Sequence, residues 1–209
     1  MIRWLAHLTA ASPALWLIWA TVRDQLGADP IAELSHETGQ WALRLLLACL
    51  AMTPLRRITG HSGWLGYRRM LGLWAFAYAS LHLAVYLVLD LGGYWRQILD
   101  DLSQRPYIMA GASAWLLLLP LALTSTRAAI RRLGRQWRRL HRLIYPAVIA
   151  AGLHFVWLVK ADTREPLIYI GITAVLLALR LPLGRRSAAT PTTRPNAGPS
   201  APARRSPPG

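Results

Sequence analysis

The chain has 209 residues, of which 54% are apolar and only 16% charged, and it carries a net charge of +15. Soluble domains run nearer to about 25% charged, and here the apolar residues are gathered in runs with the charges between them, which excludes an ordinary soluble domain. The single cysteine, Cys49, stands inside an apolar run, so an intrachain disulfide and a cysteine-built metal or iron–sulfur site are excluded, and its expected role is that of a small buried hydrophobe.

A bilayer core about 30 Å thick needs roughly 20 residues of helix to cross it. The first segment of that kind covers residues 4–22 and follows a single arginine. It could pass for a signal peptide, but Thr21-Val22-Arg23-Asp24 is a poor cleavage site, so it reads as a retained helix. The second, 41–55, is short and contains Arg44; it is expected to extend back toward Glu37. Segments 70–91, 108–124, 143–159 and 167–183 complete a set of six. Pro13, Pro120 and Pro146 lie inside or near the ends of these helices. Proline is tolerated there when neighbouring helices satisfy the backbone groups it frees. The expected fold is all-α: a polytopic membrane domain of six transmembrane helices over residues 1–186. Residues 187–209 are rich in Pro, Ala, Arg, Ser and Thr, and are expected to form a disordered cytoplasmic tail.

The charges supply an orientation. With loops assigned alternately to two sides, 18 of the 24 basic residues fall on the side of the N-terminus, five fall opposite, and Arg44 lies within the second segment. All nine acids fall on the opposite side. The positive-inside rule makes the basic side cytoplasmic and puts both termini there, in a bacterial inner membrane. The basic excess is thus a topology signal with an affinity for anionic lipid, and no nucleic acid is expected as a partner. No GxGxxG or P-loop pattern occurs, and there is no room for a flavin- or nicotinamide-binding fold. Any electron donor would be a quinone, a bound small cofactor or another protein.

Six histidines are present. His7 and His36 lie near membrane boundaries and His61 in a cytoplasmic loop, where interfacial or solvated side chains are expected. His82 and His154 sit inside apolar helices, at Ser80-Leu81-His82-Leu83-Ala84 and Gly152-Leu153-His154-Phe155-Val156. An ionisable residue within the membrane is costly and points to function. His82 comes 13 residues after Arg69 and His154 12 after Arg142, so both stand roughly 18–20 Å from the cytoplasmic arginines. They are at matching heights on parallel helices, in the outer half of the membrane. Two such imidazoles can clamp a haem iron axially, with Ala79, Ser80, Ala150, Ala151 and Gly152 leaving room for a flat macrocycle. His141 is a third candidate, at the cytoplasmic mouth of the fifth segment. Thirteen residues correspond to about 220° of α-helix, so His141 and His154 do not share a face on an ideal helix, although Pro146 between them can kink it. Arg69 stands where a partner for His141 is expected. Arg68 and Arg69 could instead hold a phosphate or a haem propionate.

Several runs resemble one family. They are Thr53-Pro54-Leu55-Arg56-Arg57, Arg68-Arg69-Met70-Leu71-Gly72, Arg105-Pro106-Tyr107-Ile108, Leu121-Ala122-Leu123-Thr124-Ser125-Thr126 and Trp137-Arg138-Arg139-Leu140-His141-Arg142-Leu143-Ile144-Tyr145. Together they resemble the MsrQ (YedZ) family of the ferric-reductase-like transmembrane superfamily, over about residues 1–183. The resemblance implies a membrane subunit with one or two b-type haems and FMN. It implies electrons taken from the quinone pool or a cytosolic flavin reductase and delivered to MsrP, a periplasmic molybdopterin enzyme that reduces methionine sulfoxide in oxidised proteins. The family's haem ligands fall on His82, His154 and His141. The other readings are a self-sufficient ferric or quinone reductase and a non-redox membrane protein with structural histidines.

Overall fold

The structure is a computed structural model that describes residues 2–159 and 162–180. The tail expected at 187–209 lies outside the described residues. Among the described residues every regular element is helical: α1 (Ile2–Val22), α2 (Pro30–Thr59), α3 (Trp64–Ala84), α4 (Trp95–Gln104), α5 (Pro106–Leu123), α6 (Arg127–Leu133), α7 (Arg135–Leu140), α8 (Ile144–Leu158) and α9 (Arg164–Ala178). A π-helical turn, Val85–Asp90, extends α3, and a 3-10 turn, His141–Leu143, joins α7 to α8.

Among the described residues four stretches are long and apolar enough to cross a membrane: Trp4–Val22, Trp64–Asp90, Pro106–Leu123 and Arg135–Leu158. Their outer faces leave Leu8, Leu116, Ile149 and Val88 exposed, as hydrocarbon rather than water requires. This is a membrane protein. The second expected segment lies inside α2, which starts at Pro30, well before Glu37, with Asp29 capping it through the Ala32 N–H. Gly60 closes α2 in a left-handed conformation, φ 70°, which a side chain would oppose. The two most extensive helix pairings are α2 on α3 and α5 on α8.

Prolines and buried charges explain much of the packing. Pro13 has no N–H to give the α1 ladder, and its ring disturbs the carbonyls before it. Tyr78 of α3, buried to 2% exposure, meets this defect. Its hydroxyl donates to the Ala10 carbonyl (2.9 Å) and accepts from the Ala14 N–H (2.9 Å). These are the two groups an unbroken helix would pair with each other. Pro54, inside α2, cannot donate to the Leu50 carbonyl four residues back. The guanidinium of Arg180 donates to that carbonyl instead, and to Thr53 Oγ1 at 3.2 Å. Arg57 in turn donates to the Leu179 carbonyl (2.7 Å), so the end of α9 is tied to α2.

The other end of α9 is tied to α2 by a polar chain. Arg44 Nε donates to the Tyr169 hydroxyl (2.9 Å), another of its nitrogens donates to Gln40 Oε1, and Gln40 Nε2 donates to Glu165 Oε1 (2.7 Å). The Arg44 guanidinium also lies 5.0 Å from the Trp41 ring centre. A charge within an apolar helix is thereby given polar partners, as its cost demands.

Between α3 and α5, α4 carries Trp95, Leu99 and Leu102 on one exposed side. Asp101 is its buried residue; it accepts from the Tyr86 hydroxyl (2.9 Å) and from Arg105 Nε (3.1 Å).

Tyr78→Phe should leave two buried backbone groups of α1 unpaired, at about 1–3 kcal/mol each. Thermal unfolding of the detergent-purified protein should shift clearly downward. Adding Pro13→Ala should recover most of the loss, because the α1 ladder can then close on itself. No recovery in the double variant would disprove this account of the pairing.

Candidate functional site

One histidine of α3 and one of α8 stand side by side. The His82 and His154 rings have centroids 6.0 Å apart and planes inclined at 75°. Both are expected at one height, and the structure brings the two rings together. Each ring is held from behind by a helix other than its own. His82 Nδ1 lies 2.8 Å from the Ser35 carbonyl of α2, and His154 Nδ1 lies 2.7 Å from the Tyr107 carbonyl of α5. A carbonyl can only accept, so Nδ1 carries the proton on both rings and each Nε2 keeps its lone pair. The tautomer is thereby fixed in the form that ligates metals through Nε2.

The two half-sites match in detail. Each carbonyl comes 47 residues before the histidine it holds. Each pairing belongs to one of the two extensive helix pairs, α2 with α3 and α5 with α8. The neighbourhood is aromatic on one side: the Tyr107 ring centre is 6.3 Å from that of His154. An open apolar depression on the surface is lined by Pro106, Tyr107 and Trp157. Ser80, expected to leave space near His82, accepts a hydrogen bond from Trp115 Nε1 at 3.0 Å. The Ser35 and Tyr107 carbonyls were not legible in the sequence, because a main-chain carbonyl leaves no mark on residue type.

His141 lies apart, in the 3-10 turn before α8. Its Nδ1 is 3.1 Å from the Trp137 carbonyl, and its ring stacks on Trp137 with centroids 3.9 Å apart. A 3-10 turn advances about 20° more per residue than an α-helix, so the turn His141–Leu143 alters the ideal-helix offset without bringing His141 and His154 onto one face. Of the two arginines at the start of α3, Arg68 is half-buried and Arg69 exposed. The backbone carbonyl of Arg68 accepts from Cys49 Sγ at 3.1 Å, and Cys49 is buried as expected.

The remaining histidines serve packing or lie at the surface. His7 Nδ1 accepts from Trp74 Nε1 (3.0 Å). His36 is exposed and lies 2.9 Å from Gln40 Nε2. His61 is exposed beside Trp64. Among the described residues no cluster of three or more His, Cys, Asp or Glu is arranged to hold a bare metal ion. A pair of inward imidazoles is a different donor set, suited to a metal that brings its own equatorial ligands.

Residues 38–152 match the family described as ferric reductase like transmembrane component. That interval contains the whole of α3 and α5 and both His82 and His141. The chain is also 56% identical over 183 residues to the protein-methionine-sulfoxide reductase heme-binding subunit MsrQ of Xanthomonas axonopodis pv. citri, covering 85% of this chain and 84% of that one. It is 53% identical over 204 residues to the subunit of the same name from Xanthomonas euvesicatoria, covering 93% and 94%. The chain belongs to the MsrQ family. No solved structure matches it. The MsrQ relatives are named haem-binding subunits, and the His82–His154 pair fits that group. Metal–imidazole bonds run about 2 Å, so two rings bound to opposite faces of one iron have centres about 6 Å apart, and both rings here present an unprotonated Nε2.

Proposed function

We propose that this chain holds a b-type haem between His82 and His154 and serves as the membrane electron-transfer subunit of a methionine sulfoxide reductase. The observation that carries the reading is the 6.0 Å pair of imidazoles, each with Nδ1 tied to a carbonyl of another helix. The haem would supply a one-electron carrier. The chain's own part is to aim two neutral imidazoles, to exclude water with the apolar residues of α3, α5 and α8, and to hold the site in one half of the bilayer.

Further parts of the reading rest on the basic and acidic loops and on the family. The membrane is the bacterial inner membrane, crossed six times, with α2 and α9 as the second and sixth spans and both termini cytoplasmic. The partner is a periplasmic molybdopterin reductase of the MsrP kind, which acts on oxidised periplasmic proteins. Electrons come from the quinone pool or a cytosolic flavin reductase, with FMN as a second cofactor. The outer position of His82 and His154 suits delivery to that side. At the cytoplasmic end, His141 and Arg68 frame a second site for a further haem or for an anionic group of a cofactor, with Arg69 beside it at the surface.

The purified protein should show a reduced-minus-oxidised spectrum of b-type haem. His82→Ala and His154→Ala should each remove most of it, whereas His141→Ala should remove at most the contribution of one further haem per polypeptide. Full haem content in either outer variant would sink the axial pair. Haem iron and flavin counted per polypeptide, in the wild type and the His141→Ala and Arg68→Ala variants, test the inner site. For topology, a fluorescent protein fused after Gly209 should fluoresce, while alkaline phosphatase at the same place should be inactive. The reverse result would overturn the cytoplasmic C-terminus.

A further inference from the structure

Each carbonyl that holds a histidine is followed, one helical turn later, by a glycine: Ser35 by Gly39 on α2, and Tyr107 by Gly111 on α5. In an α-helix the carbonyl of residue i points at the N–H of residue i+4. Its second lone pair is approached across the surface of residue i+4. A side chain there would stand in the way. At Gly39 a Cβ would lie 3.1 Å from His82 Nδ1 and 3.2 Å from its Cε1; at Gly111 it would lie 2.8 Å from His154 Nδ1 and 3.0 Å from its Cε1. The three atoms nearest to the added carbon are ring atoms of the histidine at both positions. Close packing of helix backbones, the commoner use of glycine in membrane helices, is therefore not what these two glycines serve first.

We infer that Gly39 and Gly111 are positioning residues for the two axial ligands: each leaves open the approach by which an imidazole reaches the carbonyl one turn earlier, and so sets the tilt and plane of that ring. This rests on the haem reading of His82 and His154. The two half-sites are alike in plan and unequal in tightness. The contact at Gly111 lies below the closest distance real Cβ atoms show, and that at Gly39 lies just above it, so the His82 ring must give less. An alanine at either position pushes the ring off its carbonyl and changes the 75° angle between the ring planes. Losing the Nδ1–H bond also makes the imidazole a weaker donor to iron, which favours the reduced state and raises the midpoint potential.

The test compares Gly39→Ala, Gly111→Ala and Gly171→Ala in the full-length, haem-loaded protein. Gly171 is on α9, where an added Cβ meets nothing within 4 Å, and so controls for alanine in a helix. The readouts are haem per polypeptide, the low-spin electron paramagnetic resonance signal, which reports the mutual angle of the imidazole planes, and a redox titration. Gly39→Ala should keep its haem with a shifted low-spin signal and a raised midpoint potential. Gly111→Ala should show a larger shift or loss of the haem, and Gly171→Ala should match the wild type. Wild-type signals and potentials in both site variants would overturn the proposal. So would failure of both site variants to yield monodisperse protein while Gly171→Ala does, because the glycines would then serve helix packing. The underlying haem reading fails separately, if the wild type binds no haem or His82→Ala keeps its full spectrum.

Discussion

An imidazole placed among apolar helices must find a partner for its N–H, and in this chain both inner histidines find it on the backbone of a neighbouring helix. The two bonds, His82 to the Ser35 carbonyl and His154 to the Tyr107 carbonyl, do more than satisfy a buried polar group. They fix the tautomer, leave Nε2 unprotonated, and couple α2 to α3 and α5 to α8 at one level. Those are the two extensive helix pairs of the fold. A membrane interior offers few competing hydrogen-bond partners, so a single donor and a single carbonyl suffice to determine where each ring sits.

The same scarcity of partners governs the rest of the architecture. Pro13 and Pro54 each break a helix ladder, and each defect is met by a polar side chain from a distant part of the chain, Tyr78 and Arg180. Arg44, a cation inside an apolar helix, is resolved by Gln40, Tyr169 and, through Gln40, by Glu165. These contacts tie α1 to α3 and α9 to α2. Hydrophobic burial supplies little drive between helices in lipid, so such polar ties and close packing decide which helices adjoin. The haem-binding pair proposed here thus sits on α3 and α8, while the two outer helices are attached to the framework by unrelated polar contacts.

The cytoplasmic end is built differently. The basic helices α6 and α7 lead into the 3-10 turn that carries His141, and Trp137 both stacks on that ring and supplies its carbonyl from within the same segment. No second histidine faces it among the described residues. Of the two arginines named together from the sequence, Arg68 is half-buried and Arg69 exposed. A count of residues along a helix sets height well and azimuth poorly, and a difference of one residue rotates a side chain by about 100°.

Much of this protein was legible in one dimension. Apolar runs broken by arginines establish a helical membrane protein, the depth of His82 and His154 places them level, and short motifs point to the MsrQ family, because length, hydropathy and spacing are properties of the chain itself. The full reach of α2 and the use of Pro54 needed the structure, because only the fold shows that Arg180, a distant residue, reaches the carbonyl this proline orphans. The Ser35 and Tyr107 carbonyls, and the glycines that leave them open, were decided only by tertiary packing. Main-chain oxygens are alike at every position, and only the way one helix lies on another selects which of them a histidine meets.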